Sequence, residues 1–449
     1  AGKGGTTSAP YSSGTKNTAV GYQALTNFTT GERVVAVGYN AGASLTTGGQ
    51  SVFIGHNAGD AIIDGYRNIA IGDNALSEDA GDDNIAIGLF ALKDLSGASV
   101  NIGIGTRAGE TITTGVRNIA IGWRTMWDLD AGSNSADSQD NIAIGYAAMN
   151  GTWANTRSDG NVAIGSYSMD GALDGANENV AVGYQTLSSI TGDDANVTIG
   201  YRAMYQGATG GTNYAIGRYS MMDCNAGSNA LSSNMNIAIG HAALGGTWAD
   251  ADSNRNIAIG HYTMDAGVDG ALDNVAVGHY ALSSITSGDF NTALGSNAGL
   301  SLTTGADNVV IGYLAGDTMT NTGNTVLIGK SAGTAINSDS ANYTIAVGFN
   351  ALENLTNGAG NIAIGGITQT GITTGDNNIA IGYQAMADFD AGVNSANSSG
   401  NIAIGRSAMG GTVANTACND NIAIGRNTMA AALDGALYNI AIGATSLND

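Results

Sequence analysis

Apolar positions along this chain recur as a short triplet closed by glycine. In Asn68-Ile69-Ala70-Ile71-Gly72 two β-branched residues flank a small one, and variants of this pentapeptide return 24 times between Asn17 and Gly443. Successive motif glycines are most often 17 residues apart, with other intervals of 18, 19, 20 and 23 and one of 16. Alternation with period two is a strand signal, and a fixed period of this length marks a solenoid. The chain is therefore expected to be all-β, a parallel β-solenoid of about 24 coils. With strands ~4.8 Å apart it would extend about 115 Å.

Positions are counted here from the motif glycine as zero. Position −1 is Val or Ile in every copy except Leu294, and −3 is usually Ile or Val. Both suit a pleated surface and are expected to stack as the inner core. Position −2 is Ala in 19 of 24 copies and is expected to point the other way. A solvent-facing column would collect Thr, Lys or Glu, so near-uniform Ala predicts a second surface packed closely outside. Ala70, Ala120, Ala143, Ala238, Ala258, Ala380, Ala403 and Ala423 are the candidate contacts to that surface. Position +3 is always Ala, Ser or Thr, and +4 is usually Leu or Met, or Gly as at Gly42, Gly59, Gly299 and Gly316. These read as core on a second, returning strand, with Met as a filler of irregular gaps. Position −4 is Asn in 20 copies, which predicts an amide ladder along the stack. Glycine at zero marks a tight bend.

Intervals of 17, 17, 23, 20 and 18 repeat as a series, which divides the repeat into modules. Residues 89–183, 184–278 and 349–443 form loop-bearing modules, and 17–88 and 279–348 hold plainer coils. Residues 1–16 precede the first motif, and 17–449 read as one solenoid domain. Duplicated modules lengthen a structure without new design, and their insertions emerge as lateral loops.

Charge adds a constraint. With 15 Lys and Arg against 37 Asp and Glu, the chain carries −22, which argues against nucleic acid and anionic membranes as partners. Neither a transmembrane run nor a signal-peptide pattern at Ala1 to Gly14 is apparent. Since the sequence stops at Asp449 just after a motif, it is expected to be part of something longer or capped by another protein. Cys224 and Cys418 lie about ten coils apart, beyond disulfide reach.

Candidate chemistry is sparse. His56, His241, His261 and His279 all occupy position +1, where Tyr and Trp are otherwise common, so they read as further rings and not as a metal-ligand set. The Asp128/Asp130 and Asp388/Asp390 pairs offer oxygens for calcium but lack the spacing of an EF-hand. They are expected to be solvated turn carboxylates, with calcium the minor alternative and no other cofactor implied. The same pairs lack any evidence of facing each other across a cleft, as glycoside cleavage needs. Aromatic side chains on a solenoid surface are suited to contact with sugars or a protein receptor. Trp153 and Trp248, at equivalent loop positions, lead that set, with Trp123, Tyr146 and Tyr201 behind them.

The recurrent Asn-Ile-Ala-Ile-Gly-x-x-Ala resembles the head repeat of YadA-type trimeric autotransporter adhesins, and the match runs from Asn17 to Gly443. The resemblance implies a left-handed β-roll and a side-by-side homotrimer whose alanines face the neighbouring copies. The longer, variable period and the large loops depart from that family, and no coiled-coil stalk or membrane-anchor barrel is present in this sequence. Asn-Thr-Ala-x-Gly-Tyr-Gln-Ala-Leu at Asn17 to Leu25 is also similar to repeats in phage tail fibres. The expectation is a non-enzymatic extracellular fibre, placed on a virion surface first and on a bacterial surface as an adhesin second. A polysaccharide depolymerase or an ice-binding solenoid is less favoured, the latter because the Thr-Thr-Gly turns are too irregular for a flat array.

Overall fold

The computed structural model describes residues 14–128, 137–153, 156–206, 210–224, 233–248, 251–388, 397–413, 416–431 and 433–448. The chain divides into two compact units, 1–219 and 220–449. Unit 1 contains twelve three-residue strands, from Thr18–Val20 to Tyr214–Ile216, and unit 2 another twelve, from Ile237–Ile239 to Ile440–Ile442. Within each unit every strand pairs in parallel with the next in sequence. The motifs align without slippage: Ile142 with Val162, Ala143 with Ala163 and Ile144 with Ile164. The 23-residue interval from Ala380 to Ala403 keeps the same register, so the extra residues do not shift the strand pairing. This is the predicted parallel β-solenoid, with no α-helix among the described residues.

The interior is the reverse of the expected one. The middle residue of the strand triplet is buried in 23 of 24 strands, and the β-branched residues beside it never are. Ala70, Ala120, Ala143, Ala238, Ala258, Ala380, Ala403 and Ala423 are all 0% exposed within the single chain, so none can touch a neighbour. They point into the coil, where they meet the small residue at +3 and the Leu or Met at +4. The walls of a 17-residue coil are close together, and the space between them holds one small and one large side chain. Where the strand residue is large, its partner shrinks. Phe53 sits against Gly42 and Gly59, where an added Cβ would come 2.8 Å from Phe53 Cδ2 and within 2.5 Å of its Cε1. Leu327 relates in the same way to Gly316 and Gly333, at 2.8 and 2.9 Å. Alanine is thus conserved from coil to coil by internal volume, and the outer face of each unit's sheet carries the Ile and Val.

Position +4 is core, as expected, and all nine methionines there are buried, Met126 and Met264 among them. Among the described residues, however, no second strand forms. The chain returns through turns whose residues at +2 and +4 adopt left-handed backbone, as at Arg124 (φ 51°) and Met126 (φ 47°). Such residues pair with the adjoining coil but not as a ladder, because alternating handedness breaks the pleat. The asparagine ladder does form. Asn101 N–H donates to Asn84 Oδ1 at 2.9 Å, Asn118 N–H to Asn101 Oδ1 at 2.9 Å, and Asn118 Nδ2 to Ser138 O at 2.9 Å. Each amide satisfies backbone groups of the next coil, which explains its near invariance in a buried column. Neither Cys224 nor Cys418 is in a disulfide, and both are buried.

Candidate functional site

The residues after each motif glycine leave the strand at the tight bend, so positions +1 and +2 stack coil over coil on one outer column. Coil spacing of ~4.8 Å is close to the separation at which aromatic rings attract. In unit 1, Tyr22 stacks on Tyr39 with centroids 5.3 Å apart, and Tyr39 on His56 at 5.3 Å. His56 Nδ1 lies 3.0 Å from Asp73 Oδ1 in the next coil. A second run begins at Trp123, which stacks on Tyr146 at 4.7 Å. It continues edge-on to Tyr167 at 5.2 Å, then through the stacked pair Tyr184 and Tyr201 at 5.4 Å. Guanidinium groups complete the run. Arg124 lies 4.4 Å from the Trp123 ring and 4.2 Å from Trp127, Arg202 lies 4.9 Å from Tyr205, and Arg218 lies 4.5 Å from Tyr219. Stacked rings cover each other's faces, so Trp123, Tyr146 and Tyr201 present mainly edges and hydroxyls outward while remaining 38%, 44% and 40% exposed.

Trp153 and Trp248 do not belong to this surface. Both are fully buried. Asp128 and Asp223 fasten those segments: Thr152 Oγ1 donates to Asp128 Oδ2 at 2.7 Å and Thr247 Oγ1 to Asp223 Oδ2 at 2.9 Å. Asp128 is therefore a tether of the loop base, while Asp130 and Asp390 lie outside the described residues. In unit 2, His241 and His261 have ring centroids 6.1 Å apart, and His279 packs on Tyr280 at 4.2 Å. Among the described residues no group of three or more His, Cys, Asp or Glu is arranged to hold a metal ion.

No protein-family model matches the chain, and no curated protein does. What the column can do must be read from its chemistry. An open groove in unit 2, about 530 Å³ and lined by Asn354, Thr356, Thr370 and Thr373, is a lesser candidate. Three of its polar side chains are engaged in coil-to-coil bonds: Thr356 Oγ1 to Thr373 O at 2.9 Å, Thr370 Oγ1 to Ala387 O at 2.8 Å and Asn354 Nδ2 to Thr370 O at 2.6 Å. Among the described residues no helix is long and apolar enough to cross a membrane.

Several carboxylates are held at a cost. Burial raises Asp60, Asp170, Asp265 and Asp317, all at position +5, above the usual range. Asp193 is shifted furthest, pushed up to about 7 by burial, with the adjacent Asp194 charge adding to the shift and the Gly210 backbone hydrogen bond opposing it. Its Oδ2 is buried without a hydrogen-bond partner. The folded chain thus holds a proton here that the unfolded chain releases near pH 4. Stability from this group is complete below that point and is lost as pH rises through 7. Asp193→Asn should remove that slope, adding about 2–4 kcal/mol at pH 8 and little at pH 4. Urea unfolding at the two pH values checks this, and an equal effect at both would reject it.

Proposed function

We propose that this chain is a non-catalytic structural and adhesive fibre segment acting outside cells, assembled side by side from three copies and carried on a virion surface. The outward Ile and Val ladder is the observation that supports it. Along each unit's sheet two apolar columns stand part-exposed, for example Ile164 at 38% and Ile199 at 40%. A continuous apolar strip of this kind marks an interaction surface. A second copy fits it best, because an identical parallel strip repeats at the same coil spacing and can match it at every rung. Three is the number that the likeness to adhesin heads implies. The alanines are not part of this interface; the Ile and Val columns replace them. In this arrangement the +1/+2 column stays free for a receptor on a host surface, and the chain inserts in no membrane.

Lysine placed on the strip should separate the copies. Ile164→Lys/Ile199→Lys puts two charges on positions that assembly would desolvate, at several kcal/mol each. The native chain should show the mass of three copies by light scattering and the double variant that of one. A native chain of single-copy mass would reject the assembly.

A further inference from the structure

Positions +1 and +2 make up 48 positions over the 24 coils, and they hold one carboxylate, Asp73, although the chain has 37 Asp and Glu. The same positions hold seven of the 15 Lys and Arg residues. Pairing sharpens the contrast. Arg33, Arg67, Lys93, Arg107, Arg117, Arg157 and Arg255 each lie within 4.0 Å of a carboxylate. Only one of these, Arg107, is in the column. Arg124, Arg202, Arg218, Lys330, Arg406 and Arg426, all of them in the column, form no such ion pair among the described residues. An acidic protein has thus kept carboxylates away from this column in each unit and left unpaired cations there, with Arg124, Arg202, Arg218 and Lys330 held against rings.

We propose that the unit 1 column from Trp123 to Tyr219 binds a linear acidic polysaccharide, a hydroxyl-rich chain bearing spaced carboxylate or sulfate groups. The proposal rests on the adhesive reading above and names its ligand. Guanidinium groups match planar oxyanions through paired N–H donors. Arg202 spends Nε on Gln185 Oε1 at 2.8 Å and Arg218 spends one N–H on the Tyr219 hydroxyl at 3.1 Å, while Arg202 stays half-buried and Arg218 exposed, which leaves further N–H donors for a ligand. Arg124 is half-buried between the Trp123 and Trp127 rings with its Nε covered, so it serves the ligand through its terminal N–H groups. Tyrosine hydroxyls and ring edges between the cations suit sugar hydroxyls. The cations fall in the coils of Gly122, Gly200 and Gly217, too sparse for the phosphate density of nucleic acid, and the stacked rings lack the open faces that bases need. Negative charge elsewhere confines the ligand to this stripe.

The test is calorimetric titration of the full chain with polygalacturonate oligomers, with neutral dextran and oligothymidylate as comparators. Polygalacturonate should bind, more weakly as salt is raised, and neither comparator should match it. Arg124→Gln/Arg202→Gln/Arg218→Gln should weaken binding at least tenfold, and Arg202→Gln alone about threefold, from the loss of charge-assisted bonds. Arg67→Gln, which breaks a pair outside the column, should leave binding unchanged. Absence of polygalacturonate binding, equal binding of dextran, or full binding by both arginine variants would overturn the proposal. Tighter oligothymidylate binding would make the ligand a nucleic acid and overturn it too. A chain of single-copy mass that still binds would sink the assembly but not this site, and a trimer that does not bind would do the opposite.

Discussion

Gly145→Ala should destabilise unit 1 by at least about 4 kcal/mol, among the largest effects of a single methyl group. Gly145 has φ +140°, in a region that side chains rarely adopt, and an added Cβ would stand 2.6 Å from Gly165 O and 2.7 Å from Gly165 C. Backbone strain alone accounts for about 1–3 kcal/mol. The clash cannot relax by a side-chain movement, because both atoms are backbone. Nor can the coil shift, since Gly145 N–H donates to Ile121 O at 2.8 Å and the strand beside it is paired to Val162–Ile164. Gly97→Ala is the control, because there φ is +68° and nothing lies within 4 Å of the added Cβ. It should cost about 1–2 kcal/mol, the penalty of left-handed backbone for a residue with a Cβ. Urea unfolding of both variants measures the difference, and near-equal costs would show that the motif glycine is not fixed by the neighbouring coil.

Phe53→Ala should cost about 3–5 kcal/mol, the range for removing a fully buried aromatic ring. A remedy is built into the repeat. Gly59 has φ 59°, and leucine at the same position of other coils adopts nearly that backbone, as at Leu76 (φ 52°) and Leu92 (φ 46°). Phe53→Ala/Gly59→Leu recreates the Ala-with-Leu pairing and should recover about 1–3 kcal/mol relative to Phe53→Ala. Gly59→Leu alone forces leucine against the Phe53 ring and should destabilise. Strict additivity of the two substitutions in thermal or urea unfolding would contradict the account of the interior.

The coil count, parallel register, asparagine ladder and buried methionines were all legible in the sequence, because each repeats with the motif. Orientation was misread. An alternating triplet states that Ile and Ala face opposite ways but not which way is in, and larger apolar residues are ordinarily the inner ones. Two signals pointed to the true answer. Phe53 and Leu327 stand where alanine usually does, and glycine replaces Leu or Met at +4 beside them, at Gly42 and Gly59 and at Gly316 and Gly333. Positions that trade volume share one interior. The returning strand was expected from Leu and Met at +4, yet position +4 says only that a residue is buried. Its left-handed φ depends on the bend that follows Gly at zero and leaves no periodic mark of its own. For Trp153 and Trp248 the equivalent loop positions suggest exposure. Position in an insertion does not decide which way a side chain turns, and both of these indoles turn inward. For Trp123, Tyr146 and Tyr201 the sequence showed exposure but not mutual stacking, which turns ring edges outward in place of faces. The charge contrast at +1 and +2 was also readable without coordinates, once the column was recognised as one surface.

The assembly now depends on Ile and Val where alanine was expected, and one number decides it. Sedimentation equilibrium of the native chain, of subunit mass 44.8 kDa, should return three times that value over a wide concentration range. A value of one subunit, unchanged by Ile164→Lys/Ile199→Lys, would mean that the apolar strip meets only water and that the side-by-side fibre does not form.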